Sequence, residues 1–177
     1  MNLAVDEIWE CLQVGTDTWR TPVLATLDAS SGADARTIVL REVDIARREL
    51  VFHTAADSGK YQQLARDPRC CLVIYDPDTE QQLRLYGDAA RITDEDELEA
   101  RWGQLSNTQQ RVYGLDRDCP ARQNFSAFSI VIHTMHQLLL AADGRNETKI
   151  FHWNENAAVE SDSGNTEGAW SVMPARP

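Results

Sequence analysis

Apolar and polar positions along the chain alternate in short segments. "VLATLD" at 23–28, "ARTIVLREV" at 35–43 and "ELVFHT" at 49–54 read as strands, and "SSGAD" at 30–34 has the composition of a hairpin turn between the first two. "RCCLVIYD" at 69–76 and "EQQLRLYGDAARI" at 80–92 continue the pattern. "FSAFSIVIH", "HQLLLAA", "TKIFHW" and "AWSVMP" follow in the second half. Three stretches have helical spacing instead. Residues 3–13 put Leu3, Ile8 and Leu12 roughly on one side, and Pro22 separates them from the first strand. "SGKYQQLARDP" has Ser58 as N-cap, Tyr61, Leu64 and Ala65 in apolar register, and Pro68 after its end. "TDEDELEARWGQL" begins with a capping box of Thr93 and Asp96, crowds acids into its first turn, and spaces Leu98, Trp102 and Leu105 on one face.

Six to eight short strands with two or three helices and no regular strand–helix alternation predict an antiparallel barrel with helices outside. The apolar runs "TIVL" and "CCLVIY" call for cover on both faces, from helices or from a second subunit. The 177 residues suit a single domain, 1–177, and 154–168, "NENAAVESDSGNTEG", reads as a mobile acidic loop.

Charge narrows the partners. Against 17 basic residues stand 28 acidic ones, a net charge of −11, which argues against nucleic acid or an anionic membrane as the main partner. A local pocket for a small anion is still compatible with it. The opening "MNLAVDEIWECL" lacks a basic region and a long apolar core, and Phe125–Ala142 is interrupted by His133, His136 and Gln137, so neither a signal peptide nor a membrane span is expected. Cys11, Cys70, Cys71 and Cys119 have no metal or redox spacing and read as reduced thiols of a cytoplasmic protein.

Three places carry candidate chemistry. Ser58 and Lys60 open a helix, where free N–H groups and the helix dipole favour an anion. A cap beside a solvated lysine is the plainer reading of that stretch. In "EQQLRLYG", Gln82, Arg84 and Tyr86 share one strand face and Leu83 and Leu85 the other; the polar face suits either a ligand or solvent. Arg36 and Arg41 are five apart, on opposite faces of a regular strand, so both reach one site only across a bulge or from beyond the strand end.

The order of "ARTIVLRE", "LVFHT", "SGK", "DPRCCLVIYD", "QQLRLYG", "W…LS…QRVYG" and a final "W…P" resembles the pyridoxamine 5′-phosphate oxidase family of FMN-binding split barrels, in its oxidase-related branch. The resemblance runs from about Pro22 to Pro174. It implies a mainly β, antiparallel split barrel with peripheral helices, a homodimer, and FMN bound at the interface. Carried over residue by residue, Arg36, Thr37, Ile38, Val39, Leu40 and Arg41 line the FMN, His53 stands for a family tyrosine beside Thr54, and Ser58 and Lys60 meet the phosphate. Gln82 approaches the flavin of the partner subunit.

Departures accompany these matches. Gly59 replaces a basic residue, Arg41 replaces a lysine, Leu138 sits near a flavin-edge tryptophan, and the C-terminal Arg-x-His substrate motif is absent, with only Arg145 and Lys149 nearby. The implied function is flavin-dependent oxidoreduction of a small molecule that the sequence leaves unidentified. The alternatives are a non-catalytic FMN-binding or sensing protein, or a relative using deazaflavin or haem. No metal site is expected: His133 and His136 lack ligand spacing and read as structural or exposed. Arg111 and Tyr113 read either as a branch motif or as side chains pinning a helix to the barrel. No hydrolytic triad or carboxylate pair stands out.

Overall fold

A computed structural model describes residues 4–114, 122–140, 146–159 and 167–174. Nine strands form one antiparallel sheet: β1 (Val23–Asp28), β2 (Gly32–Thr37), β3 (Leu40–Asp44), β4 (Glu49–Ala55), β5 (Arg69–Asp76), β6 (Gln81–Arg91), β7 (Phe125–Leu139), β8 (Glu147–Val159) and β9 (Glu167–Pro174). The helices are α1 (Val5–Val14), α2 (Asp17–Arg20), α3 (Gly59–Arg66), α4 (Glu95–Gly103) and α5 (Asn107–Arg111). The strand order is β2-β1-β5-β6-β7-β4-β3, and a β8–β9 hairpin is attached through β7. The two ends of that path, β2 and β3, are neighbours in sequence but are not paired with each other. The predicted antiparallel split barrel is thus present, and its split falls beside residues 38 and 39.

Alternation fills the barrel. Leu24, Leu72, Leu83, Leu85, Phe52, Phe128, Ile130, Ile132 and Met135 are all essentially sealed from solvent. Helix α1 adds Ile8, Trp9 and Leu12 to the same core, and Gly15 ends the helix in the left-handed conformation that a glycine cap supplies. A second, smaller core lies outside the sheet, where α4 and the segment after it lay Leu98, Leu105 and Tyr113 against Phe125 and Ala127. Gly87 marks a shift in the β6–β7 register, and a Cβ there would clash with the Val131 carbonyl oxygen.

Several predicted boundaries move. The strand expected over 35–43 is two strands, because its first half pairs with β1 and its second with β4. The pieces "FSAFSIVIH" and "HQLLLAA" are one strand, β7, since its pairing with β6 and β8 carries through the polar His133 and His136. Helix α4 is capped by Asp94, whose carboxylate accepts from the Glu97 N–H at 2.9 Å, rather than by Thr93. Ala65 is exposed while Gln63 is buried in its place. Strand β8 continues to Val159 and β9 begins at Glu167, both inside the stretch read as loop. Leu3, Cys119 and Arg145 lie outside the described residues. Among those residues, Cys11, Cys70 and Cys71 are free thiols, and no helix is long and apolar enough to cross a membrane.

Candidate functional site

The break between β2 and β3 decides where the two arginines go. Ile38 leaves the ladder, and its N–H finds the Pro22 carbonyl at 3.0 Å. Two residues later the β3–β4 register slips, so that Arg41 is the extra residue between Leu40 and Glu42. Both devices that would free the arginines from simple alternation are present. They send the two side chains to different neighbours rather than to one.

Arg36 enters a polar network between β1, β2 and α3. Its Nη1 donates to Thr26 Oγ1 at 2.5 Å and more weakly to the Leu24 carbonyl at 3.4 Å. Its Nη2 donates to Gln63 Oε1 at 2.9 Å and to the Asp34 carboxylate. Thr26 donates to the same Gln63 oxygen at 2.7 Å, while Gln63 Nε2 donates to Asp34 at 2.9 Å and Asp28 at 3.1 Å. The Gln63 amide first, then the Arg36 charge, holds the Asp34 carboxyl below its ordinary range.

Lys60 lies beside this network, in the first turn of α3. It is half-buried and has no hydrogen bond or ion pair to any described residue. Burial and then the Arg36 charge push its pKa down, against Asp57. Ser58 caps α3 by accepting from the Tyr61 N–H at 3.4 Å, and its hydroxyl is 2.9 Å from that of Thr54. Lys60, two hydroxyls and a helix N-terminus therefore lie at the corner between β4 and α3, and Arg36 is near enough for its charge to act on Lys60. An unpaired, half-buried ammonium at the positive end of a helix is unfavourable by itself, and an anion there would relieve it.

Arg41 belongs to the other group. It is exposed and lies near the buried Tyr113, whose pKa burial raises and the Arg41 charge opposes. His53 packs edge-on against Phe125 with ring centroids 4.9 Å apart. Both His53 ring nitrogens are buried without a hydrogen-bond partner. Burial, then Arg41, then Arg101 push its pKa down to about 4, so the ring is neutral at pH 7. Arg101 is already committed to Glu42 at 2.8 and 2.9 Å and to Glu97 at 3.0 Å.

Of the other predicted residues, Ile38 and Leu40 are buried, whereas Thr37 and Val39 are exposed at the split. Gln82 stands apart. It lies on the outer face of β6, between Tyr75 of β5 and Leu138 of β7. By register Gln82 lies three strands from Thr37, and about 30 Å along β6, at 3.3 Å per residue, from Arg91, whose row holds Phe128 and Phe52 next to His53. One chain does not bring Gln82 to the others. Arg84, on the same face, reaches His136 Nδ1 at 3.2 Å, and Tyr86 packs on that imidazole. A cleft of about 470 Å³ opens past Tyr61 towards α4, but none of the predicted residues lines it. Its Arg122 is taken by Glu95 and Glu99, and its Arg91 by the Tyr61 hydroxyl.

Sequence reasoning missed Thr26, Asp28, Asp34, Gln63 and Arg101. A buried glutamine on a helix face was the one available signal, and hydropathy spacing hides it. Among the described residues no three potential metal ligands cluster.

An antiparallel sheet opened between β2 and β3, with hydroxyls and cations gathered at the β4–α3 corner, defines the split-barrel class. Residues 13–139 match the family model described as pyridoxamine 5′-phosphate oxidase, and the chain belongs to that family. A pyridoxine/pyridoxamine 5′-phosphate oxidase of Thermobifida fusca (strain YX) is 40% identical over 74 residues, which cover 42% of this chain and 33% of that protein. The matched stretch thus spans about a third of that relative. A pyridoxamine 5′-phosphate oxidase-related, FMN binding protein from Nostoc punctiforme PCC 73102 aligns over 100% of both chains with a TM-score of 0.72 and 22% identity. PhzG from Burkholderia lata 383, solved with tetrahydrophenazine-1-carboxylic acid, aligns over 98% of this chain and 90% of its own with a TM-score of 0.74 and 17% identity. These two likenesses show the fold.

Proposed function

We propose that this protein is an FMN-binding flavoprotein, a homodimer acting in the cytoplasm, that oxidises or reduces a small molecule. The observation that carries this reading is Lys60, an unpaired, half-buried cation at the start of α3 on which the Arg36 charge acts. That corner fits a phosphate monoester: Lys60 and Arg36 supply charge, and Ser58, Thr54 and the first N–H groups of α3 supply donors. Thr37, Ile38, Val39 and Leu40 would run along the rest of the cofactor, with His53 and Arg41 beyond them. When bound, FMN supplies the hydride-accepting ring, and the protein supplies placement and electrostatics. His53 is neutral at pH 7 and has no protein partner, so one N–H and one acceptor remain to offer.

Dimerisation fits the distance of Gln82 from the phosphate corner, which a partner's Gln82 would overcome. The surface near Gln82 is apolar enough to be covered: Tyr75 is 49% exposed and Leu138 is half-buried. Absorption of the purified protein tests the cofactor, since bound FMN gives a flavin spectrum and haem or deazaflavin a different one. Sedimentation tests the dimer, and a stable monomer with full FMN occupancy would contradict it. A flavin that no reductant-bearing metabolite reduces would favour a binding or sensing role. The Arg-x-His motif is absent, and two missing charged hydrogen bonds at about 1.5–3 kcal/mol each leave turnover of pyridoxamine 5′-phosphate roughly a hundredfold to ten-thousandfold below that of a family oxidase. Turnover of that compound at a family oxidase's rate would show that another group replaces the motif.

A further inference from the structure

We infer that Asp34 sets how strongly this site prefers a phosphate-bearing flavin, because its carboxylate occupies the part of Arg36 that a phosphate needs. The inference rests on the reading of the Arg36–Lys60 corner as a phosphate site.

Donor counting carries it. A guanidinium has five N–H groups, two on each terminal nitrogen and one on Nε. In Arg36 each terminal nitrogen has two acceptors: Thr26 and Leu24 on Nη1, Asp34 and Gln63 on Nη2. Only the Nε–H has no partner among the described residues. Arginine grips a phosphate through two N–H groups in parallel, so one present acceptor must leave. Thr26 and Gln63 are 3% and 8% exposed and support each other, whereas the Asp34 side chain is 45% exposed. Asp34 is the acceptor that yields.

Asp34 also has somewhere to stay. Gln63 Nε2 holds the same carboxylate oxygen at 2.9 Å, so the aspartate can release Arg36 without losing every partner. Asp34 and Arg36 are two apart on β2, opposite Thr26 and Leu24 of β1, which fixes them on one face of the strand. The competing carboxylate is therefore part of the strand's own geometry. It lowers the affinity for any anion at Arg36 and leaves a ligand without phosphate untouched.

The test is titration of the apo-protein with FMN and with riboflavin, which lacks the phosphate. Asp34→Asn and Asp34→Ala are expected to bind FMN roughly 1.5- to fivefold more tightly than the parent, the range for freeing a partly exposed charged pair. Riboflavin affinity is expected to stay the same. Thermal melting of both apo variants checks that the fold is retained, and the two differ in what they leave beside Gln63. Unchanged or weaker FMN binding in both overturns the inference, as does equal tightening of FMN and riboflavin. Lys60→Ala in the same titration separates the two ideas. If it weakens FMN while the Asp34 variants do nothing, only the role of Asp34 falls. If it leaves FMN unchanged, the phosphate assignment falls and takes the role of Asp34 with it.

Discussion

Arg36 and Arg41 are the same residue type, five positions apart on one apolar run, yet their surroundings are opposite. Arg36 has all four terminal N–H groups occupied and a carboxylate of its own in contact. Arg41 is exposed beside a tyrosine hydroxyl and a histidine, and the carboxylates of Glu42 and Glu97 are taken by Arg101. The first arginine is held by the protein, and Lys60 next to it is left as the uncompensated charge. The second is left open, next to an imidazole that burial keeps neutral. The contrast separates a hydrogen-bonded arginine beside an unpaired lysine from an exposed arginine beside a buried neutral histidine.

That separation can be broken most directly by ligand affinity. Lys60→Ala removes one charge-assisted contact, about 1.5–3 kcal/mol, so FMN affinity should fall about 10- to 150-fold. Arg41→Ala should cost less than a tenth of that loss factor if the two ends are distinct. Equal losses in flavin-fluorescence titrations would merge them into one site.

Stability gives the next largest effect. Gln63→Leu strands Arg36, Thr26 and Asp34 together and should cost about 1–3 kcal/mol for a lost buried partner, with a lower denaturant midpoint. At the other end, Tyr113→Phe removes a hydroxyl that lies near an exposed arginine, and should cost less than Gln63→Leu. A Tyr113→Phe cost above that of Gln63→Leu would reverse the order of rigidity.

The last test is the pH dependence of stability. His53 is depressed to about 4 from an ordinary value of 6.5, so between those values the unfolded chain binds the proton and the folded one does not. Its contribution is therefore complete above pH 6.5 and is lost as pH falls towards 4, with a slope of at most about 1.4 kcal/mol per pH unit, less for the part of the ring that solvent reaches. Asp34 is depressed from 3.8, so its contribution is present above that value and is lost only at lower pH. Melting temperatures from pH 7 to 4.5 should fall less steeply in His53→Gln, while Asp34→Asn should keep the parent's slope. A parent slope retained in His53→Gln would place the titrating group elsewhere.

Much of the fold was legible from local pattern. Strand positions, the turn after Asp28, the Ser58 cap and the helix at 95–103 follow from alternation, capping and breakers. These signals act over a few residues, and so the antiparallel barrel could be expected. The candidate site was legible only in outline. Ser58 and Lys60 stood out because a lysine in a first helical turn is out of place. Asp28, Asp34 and Thr26 looked like ordinary hairpin residues, and Gln63 like a solvated helix position.

The residues of 35–43 show where local information ends. Their hydropathy alone determined that this segment is extended and half-buried, since burial follows side-chain chemistry. It could not determine that Thr37 is the last residue to pair with β1 and Leu40 the first to pair with β4. Strand partners are set by segments far away in sequence, through hydrogen bonds and packing that no local window contains. Only the tertiary structure decided that the two arginines part company there, one bonded to Gln63 of α3 and the other left exposed.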